Sequence, residues 1–326
     1  MTPTAKFQVD ELAGELLAGD ERALSRGLSC VERGGDLAEA LLENLYPHTG
    51  RAHIVGITGS PGSGKSTLTR GLARAATKMG MTVGVIAVDP SSPFSGGAIL
   101  GDRIRMNDVA VELGVFVRSL ATHGALGGLS RAAADSVDLM DAAGRQVIFV
   151  ETVGVGQDET DIMQTVHTVV VVSVPGLGDE IQTLKAGILE ISDVHVVNKA
   201  DREGADRVAA ELRSMLTLDA AKNIDSWQPP VLACVALREE GVPAVLDAIR
   251  DHSNHLKNSG ELERRHRRMA RARLLSIVRN FLSDATARQD CDCDDLLNGM
   301  VTRELAPYSG GRMLLARLAH SQGGGA

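Results

Sequence analysis

The run Gly59-Ser60-Pro61-Gly62-Ser63-Gly64-Lys65-Ser66 fits the pattern G-x-x-x-x-G-K-[ST] at every fixed position. Each residue type has a chemical reason. Glycines let main-chain N–H groups turn inward around phosphate oxygens. Lys65 offers a point charge to the β and γ phosphates of a nucleoside triphosphate. The Ser66 hydroxyl is a hard-oxygen ligand for Mg²⁺. A helix expected from Lys65 to about Met79 turns its positive end toward the anion, and Thr67 in its first turn belongs to the same phosphate-binding set. A short apolar strand ending near Thr58 precedes the loop, which is the context such a cradle needs.

A second segment, Asn198-Lys199-Ala200-Asp201, closes the Val-rich run Val194–Val197. An N-K-x-D sequence at a strand end resembles the guanine reader of GTPases. The Asp201 carboxylate can accept from guanine N1–H and from its exocyclic amine. Adenine has no matching donors, and a buried carboxylate left without them is costly. Asn198 is expected to brace the loop and reach the purine edge, with Lys199 along the ring. Cys234-Val235-Ala236-Leu237 stands where GTPases carry a Ser-Ala loop touching the base. The serine is missing, so that contact rests on Ala236 and Leu237.

Carboxylates for a hard cation come next. Val147–Glu151 is an apolar run ending in an acid and followed by Thr152-Val153-Gly154. It resembles the D-x-x-G element that senses a γ-phosphate, with Glu151 in place of aspartate and Gly154 offering its N–H. Asp89 ends another apolar run, and Asp102 lies in the segment just beyond. With Ser66, these three acids form the expected Mg²⁺ set. Signalling GTPases place a water-orienting Gln directly after the D-x-x-G glycine. That place holds Val155 here, and Gln157 stands two residues further on. Slow intrinsic hydrolysis is therefore expected, with a partner ordering the missing group.

These residues need a frame to bring them together. Apolar runs at Ile54–Thr58, Val83–Val88, Val115–Ser119, Val147–Glu151, Val166–Val174, Val194–Asn198 and Val231–Val235 alternate with amphipathic stretches. Continuous Val/Ile runs mark strands buried on both faces. Alternation of strand and helix predicts an α/β, doubly wound, mostly parallel sheet over residues 51–255. Residues 1–50 carry leucines at helical spacing, punctuated at Gly19-Asp20 and Gly34-Gly35, and read as a small helical cap. Residues 256–326 read as helical, opening with Arg264, Arg265, Arg267, Arg268, Arg271 and Arg273.

Composition narrows the function. The chain has 326 residues, 44% hydrophobic and 23% charged, which is ordinary for a globular protein. A net charge of −8 argues against a general nucleic-acid or anionic-membrane binder. Aromatics at 2% argue against base-stacking platforms. Four scattered cysteines do not make a disulfide framework. No apolar run is long enough to span a membrane, and no leader pattern opens the sequence, so a cytoplasmic location is expected.

Taken together, the chain resembles the MeaB/ArgK family of P-loop GTPases, relatives of the methylmalonic aciduria type A protein. The resemblance rests on Gly59–Ser66 and Asp89-Pro90-Ser91-Ser92, then on Gly96–Arg103 and Gly124-Ala125-Leu126-Gly127-Gly128. It extends to Glu151–Gln157 and Pro175-Gly176-Leu177-Gly178-Asp179-Glu180. It implies a GTP/GDP-binding, Mg²⁺-dependent GTPase that gates adenosylcobalamin loading onto a B12-dependent acyl-CoA mutase. Cobalamin then belongs to the partner, and the mutase stimulates hydrolysis. The resemblance also implies a homodimer joined through C-terminal helices, with Asp179, Glu180 and Lys185 in a loop that couples nucleotide to the mutase.

Other readings stay open. Asp193-Val194-His195-Val196-Val197-Asn198 nearly matches a cobalamin-binding signature, but it lies in the base-reading strand, so His195 reads as a strand residue. Cys291-Asp292-Cys293 allows a metallochaperone GTPase delivering nickel or cobalt, although the pair reads more simply as inert. A transport-linked kinase or ATPase is the third reading, against which Asp201 speaks. The arginine run reads as a solvated helix face or as a partner for the chain's own acids at a dimer seam.

Overall fold

The structure, a computed structural model, describes residues 3–89, 114–121, 128–152, 165–176, 192–220, 227–287 and 293–322. It divides into two units, Met1–Ala270 and Arg271–Ala326.

The first unit is built on a seven-stranded sheet of order β3-β2-β4-β1-β5-β6-β7. The strands are β1 (His53–Gly59), β2 (Val83–Asp89), β3 (Phe116–Ala121), β4 (Val147–Glu151), β5 (Thr168–Ser173), β6 (Val194–Asn198) and β7 (Val231–Cys234). Every pairing is parallel. The apolar runs of the sequence thus become the strands, with ends shifted by a residue or two. Their lack of alternation reflects double burial. In β5, Val169 and Val171 enter one core while Val170 and Val172 enter the other. Later strands add to the opposite side of β1 from β2 and β4. The crevice at the carboxyl ends of β1 and β5 is therefore the topological switch point, where such sheets bind ligands.

One face carries helices α4 (Lys65–Lys78) and α7 (Val242–Ser259), packed through Leu68, Leu72, Val245 and Ile249 onto Val55, Ile57 and Phe149. The other face carries α5 (Gly128–Ala142) together with α1 (Pro3–Leu17), α2 (Glu21–Arg33) and α3 (Asp36–Leu45). The fully buried Leu16, Leu24, Leu28 and Leu41 share a single core with Leu139, Ile148 and Val150. The N-terminal helices are thus part of the sheet's own packing layer. Gly19-Asp20 and Gly34-Gly35 do separate them, and the Asp20 carboxylate caps α2 by accepting from Ala23 N–H at 2.7 Å. The link into β1 is fastened by Asp141 of α5, whose carboxylate accepts from Gly50, Arg51 and Ala52 N–H at 2.6–3.2 Å. Helix α6 (Ala205–Ala220) covers Val197 and Val231 through Ala209 and Leu212.

The amino ends of β1, β5 and β6 meet the first turns of α8 (Glu261–Ala287) in a buried polar cluster. Arg265 grips Asp193 with two N–H groups, at 2.6 and 2.8 Å, and donates to His167 C=O at 2.5 Å. Asp193 also accepts from Val169 N–H at 2.8 Å. His252 Nδ1 and His53 Nε2 each lie 2.8 Å from the Thr168 hydroxyl. His167 Nδ1 accepts from Ile54 N–H, which leaves its proton on Nε2, facing His266 Nε2 at 3.0 Å. The arginine run is therefore not one solvated face, because Arg265 turns inward to a carboxylate 72 residues upstream. His195 lies fully buried within β6, its Nε2 2.7 Å from the Ser192 hydroxyl.

Burial holds His53, His167, His195 and His252 neutral. It pushes His167 down to about 3, and it pushes His195 and His252 down to about 4 against the opposing charge of Asp193. His53 is also lowered, by burial and then by its neighbour His167. In the unfolded chain a histidine titrates near 6.5. Between that value and about 4 the unfolded chain binds protons that the folded chain refuses, so stability falls as pH drops through this window. Each such histidine adds a slope approaching about 1.4 kcal/mol per pH unit. Denaturant midpoints should decline steadily from pH 7 to pH 5. A flat profile there would contradict the buried, neutral assignment.

The second unit contains the remainder of α8, then α9 (Asp294–Val301) and α10 (Pro307–Gln322). Helices α9 and α10 are tied by a two-pronged Arg317–Asp295 pair, with Nη1 to Oδ1 at 2.8 Å. This unit leaves large apolar side chains in water, among them Leu275, Phe281, Val301 and Tyr308. Among the described residues, no helix is long and apolar enough to cross a membrane.

Candidate nucleotide-binding site

The phosphate loop lies where β1 hands over to α4, in the switch-point crevice. Two glycines are sterically fixed. Gly59 has φ 140°, and a Cβ there would come within 2.1 Å of Val172 C=O on β5. Gly64 caps α4 with φ 89°, and a Cβ there would come within 2.5 Å of Asn198 Nδ2. The first amides of α4 lack helical partners and give the loop its positive end. Thr67 sits in that first turn. Lys65 is buried, and its ammonium donates to Gly59 C=O at 2.7 Å and Ser60 C=O at 3.1 Å, curled over the loop it would neutralise.

Register brings Glu151 to the same place. It pairs opposite Ile57 of β1, and its Oε1 accepts from the Ser66 hydroxyl at 2.5 Å. A hydroxyl and a nearly buried carboxylate in contact beside a phosphate cradle form an oxygen-only donor pair, which suits Mg²⁺. Asp89 ends β2 in the same sheet. Asp102, Gly154, Gln157, Asp179, Glu180 and Lys185 lie outside the described residues, as does Cys291. Among the described residues, no cluster of three or more His, Cys, Asp or Glu side chains forms a metal site.

On the base side, both ends of the Asn198 amide are engaged by protein backbone. Its Nδ2 donates to Ser63 C=O at 2.8 Å, and its Oδ1 accepts from Ala236 N–H at 3.0 Å. Lys199 adopts φ 54° and donates from Nζ to Gly62 C=O at 2.7 Å. Ala200 N–H donates to Cys234 C=O at 3.0 Å. Asn198 thus links the loop at Ser63 to the turn at Ala236. Asp201 stands partly in solvent, and Leu237 is 79% exposed. Sequence reasoning missed what surrounds this carboxylate. Arg238 Nη1 lies 3.6 Å from Asp201 Oδ2, and Arg238 also grips Glu240. Glu239 holds Arg74 of α4 at 3.0 Å. The signal was the charged triplet Arg238-Glu239-Glu240, directly after the segment already assigned to the base.

A parallel doubly wound sheet with this loop at its switch point defines a P-loop nucleotide-binding protein. The chain belongs to the MeaB family: residues 24–290 match the model for methylmalonyl Co-A mutase-associated GTPase MeaB. It is 45% identical over 311 residues to a protein of Pyrococcus horikoshii described as a GTPase, covering 95% of this chain and 98% of that one. The GTPase ArgK of Escherichia coli is 39% identical over 255 residues, 76% of this chain and 77% of its own. The mouse methylmalonic aciduria type A homolog is 34% identical over 271 residues, 78% of this chain and 65% of its own. A crystal structure described as LAO/AO transport system kinase superposes with TM-score 0.69 at 27% identity, covering 98% of this chain and 99% of that one.

Proposed function

We propose that this GTPase serves an adenosylcobalamin-dependent acyl-CoA mutase, coupling GTP hydrolysis to the loading and repair of the mutase's cofactor. The observation that carries the nucleotide half is the Asn198 amide, which ties the phosphate loop to the base-side turn. Asp201 reads guanine N1–H and the 2-amine. The N–H groups of residues 59–67 other than Pro61, which shapes the loop, and the Lys65 ammonium neutralise the phosphates as charge builds on the β–γ bridge. Ser66 and Glu151, with Asp89 and Asp102, would hold Mg²⁺, which would supply positive charge against the phosphates. Gly154 senses the γ-phosphate, and Gln157 is the nearest candidate for ordering water. The mutase half is supported by the family's own description. Cobalamin stays with the partner. The coupling loop carries Asp179, Glu180 and Lys185. The molecule works as a cytoplasmic homodimer through its C-terminal helices, whose exposed Leu275 and Phe281 suit burial against a second copy.

The test is GTP turnover by the full chain alone and with apo acyl-CoA mutases of the methylmalonyl, isobutyryl, 2-hydroxyisobutyryl and ethylmalonyl types. Turnover should be slow alone and rise about tenfold or more with one of them. Fast basal turnover, indifferent to every mutase, would refute the chaperone reading.

A further inference from the structure

We infer that Arg238 is a positioning residue for the base-reading carboxylate, an inference that rests on the assignment of Asp201 to guanine. Arg238 lies on the single 3₁₀ turn Ala236–Arg238 that follows β7, and that turn is held on several sides. Val235 N–H donates to Glu240 C=O at 2.9 Å, closing the turn on itself. Ala236 N–H is fixed to Asn198 at 3.0 Å. Glu239 adopts φ 57° and is anchored to Arg74 of the phosphate-loop helix at 3.0 Å. Arg238 is thus mounted on a backbone tied to both the phosphate side and the base side.

Its guanidinium is held in the same way. Nε and Nη2 donate to the two oxygens of Glu240 at 2.8 and 3.2 Å. A planar fork gripped along one edge has little freedom left, and it directs its remaining Nη1 toward Asp201. The separation there is 3.6 Å, longer than a hydrogen bond. Arg238 therefore biases the orientation of the carboxylate by charge while leaving its lone pairs for the base. Guanine needs both carboxylate oxygens in the plane of its ring, one for N1–H and one for the 2-amine. An aspartate already turned that way gives up less rotational freedom on binding.

The 2-amine contact should be the most sensitive to this alignment, and hypoxanthine is guanine without that amine. Calorimetry on the full chain with GDP, IDP and ADP reads it directly. Arg238→Ala should lower the ratio Kd(IDP)/Kd(GDP) by about two- to fivefold, the scale of an exposed ion pair. ADP binding and the thermal midpoint should not move. Arg238→Lys should recover part of the ratio, since it restores charge without the fork. Glu240→Gln, which loosens the grip, should shift the ratio in the same direction. An unchanged ratio in Arg238→Ala would overturn the inference, and so would tighter GDP binding, the sign of a competitor. If the unaltered protein fails to prefer GDP over ADP, the guanine assignment itself falls and this inference with it. A normal GDP preference combined with an unmoved ratio condemns only the role of Arg238.

Discussion

Lys65→Ala will abolish tight binding of GDP and GTP, weakening it by at least about a hundredfold. The ammonium is almost wholly buried and sits among the carbonyls of Gly59 and Ser60. It is the one cation that the described phosphate loop, residues 59–66, contributes from its own sequence. Truncating one partner of a buried, hydrogen-bonded charge pair costs about 2–5 kcal/mol. The folded state should survive, because the stem of Lys65 can be replaced by a methyl at the helix start without disturbing Leu68 or Leu72. Equilibrium binding of a fluorescent guanine nucleotide, alongside a thermal midpoint, separates the two effects. Binding within tenfold of the unaltered chain would show that phosphates are not held at this loop.

Asp201→Asn should erase most of the preference for guanine over adenine. A carboxylate accepting two N–H groups supplies charge-assisted hydrogen bonds of about 1.5–3 kcal/mol each. Replacing one oxygen by an amide nitrogen turns one of them into a clash of donors. The GDP-over-ADP ratio should fall by about a hundredfold or more. Xanthine diphosphate should improve in the variant, because the new amide can donate to its 2-oxo group. Competition binding with GDP, ADP and XDP checks both halves. An intact GDP-over-ADP ratio would remove Asp201 from the base site.

The frame was legible because its chemistry is local. A Val/Ile run buried on both faces reads the same in one dimension as in three, so β5 and β6 were visible as Val-rich stretches. Gly59, Gly64 and Lys65 stand at the spacing of a phosphate cradle, which a local pattern can show. Long-range pairings were not visible. Nothing near Arg265 in the sequence points to Asp193, although Met269 four residues on shares its helix face and packs on the core. No motif marks Asp141, whose carboxylate gathers three amides from the link before β1. Asn198 was assigned to the base from its motif. Its two backbone partners, Ser63 and Ala236, come from segments 135 residues before it and 38 after it, distances over which local pattern carries no information.

The leucines of the first three helices have a practical consequence. Leu16, Leu24, Leu28 and Leu41 share one buried core with Leu139, Ile148 and Val150. A truncated version beginning at Arg51 would keep every recognisable motif, yet it would be a sticky half-shell, prone to clump before it met any nucleotide. Efforts to trim the molecule to its sequence signatures would discard the part that keeps them in solution.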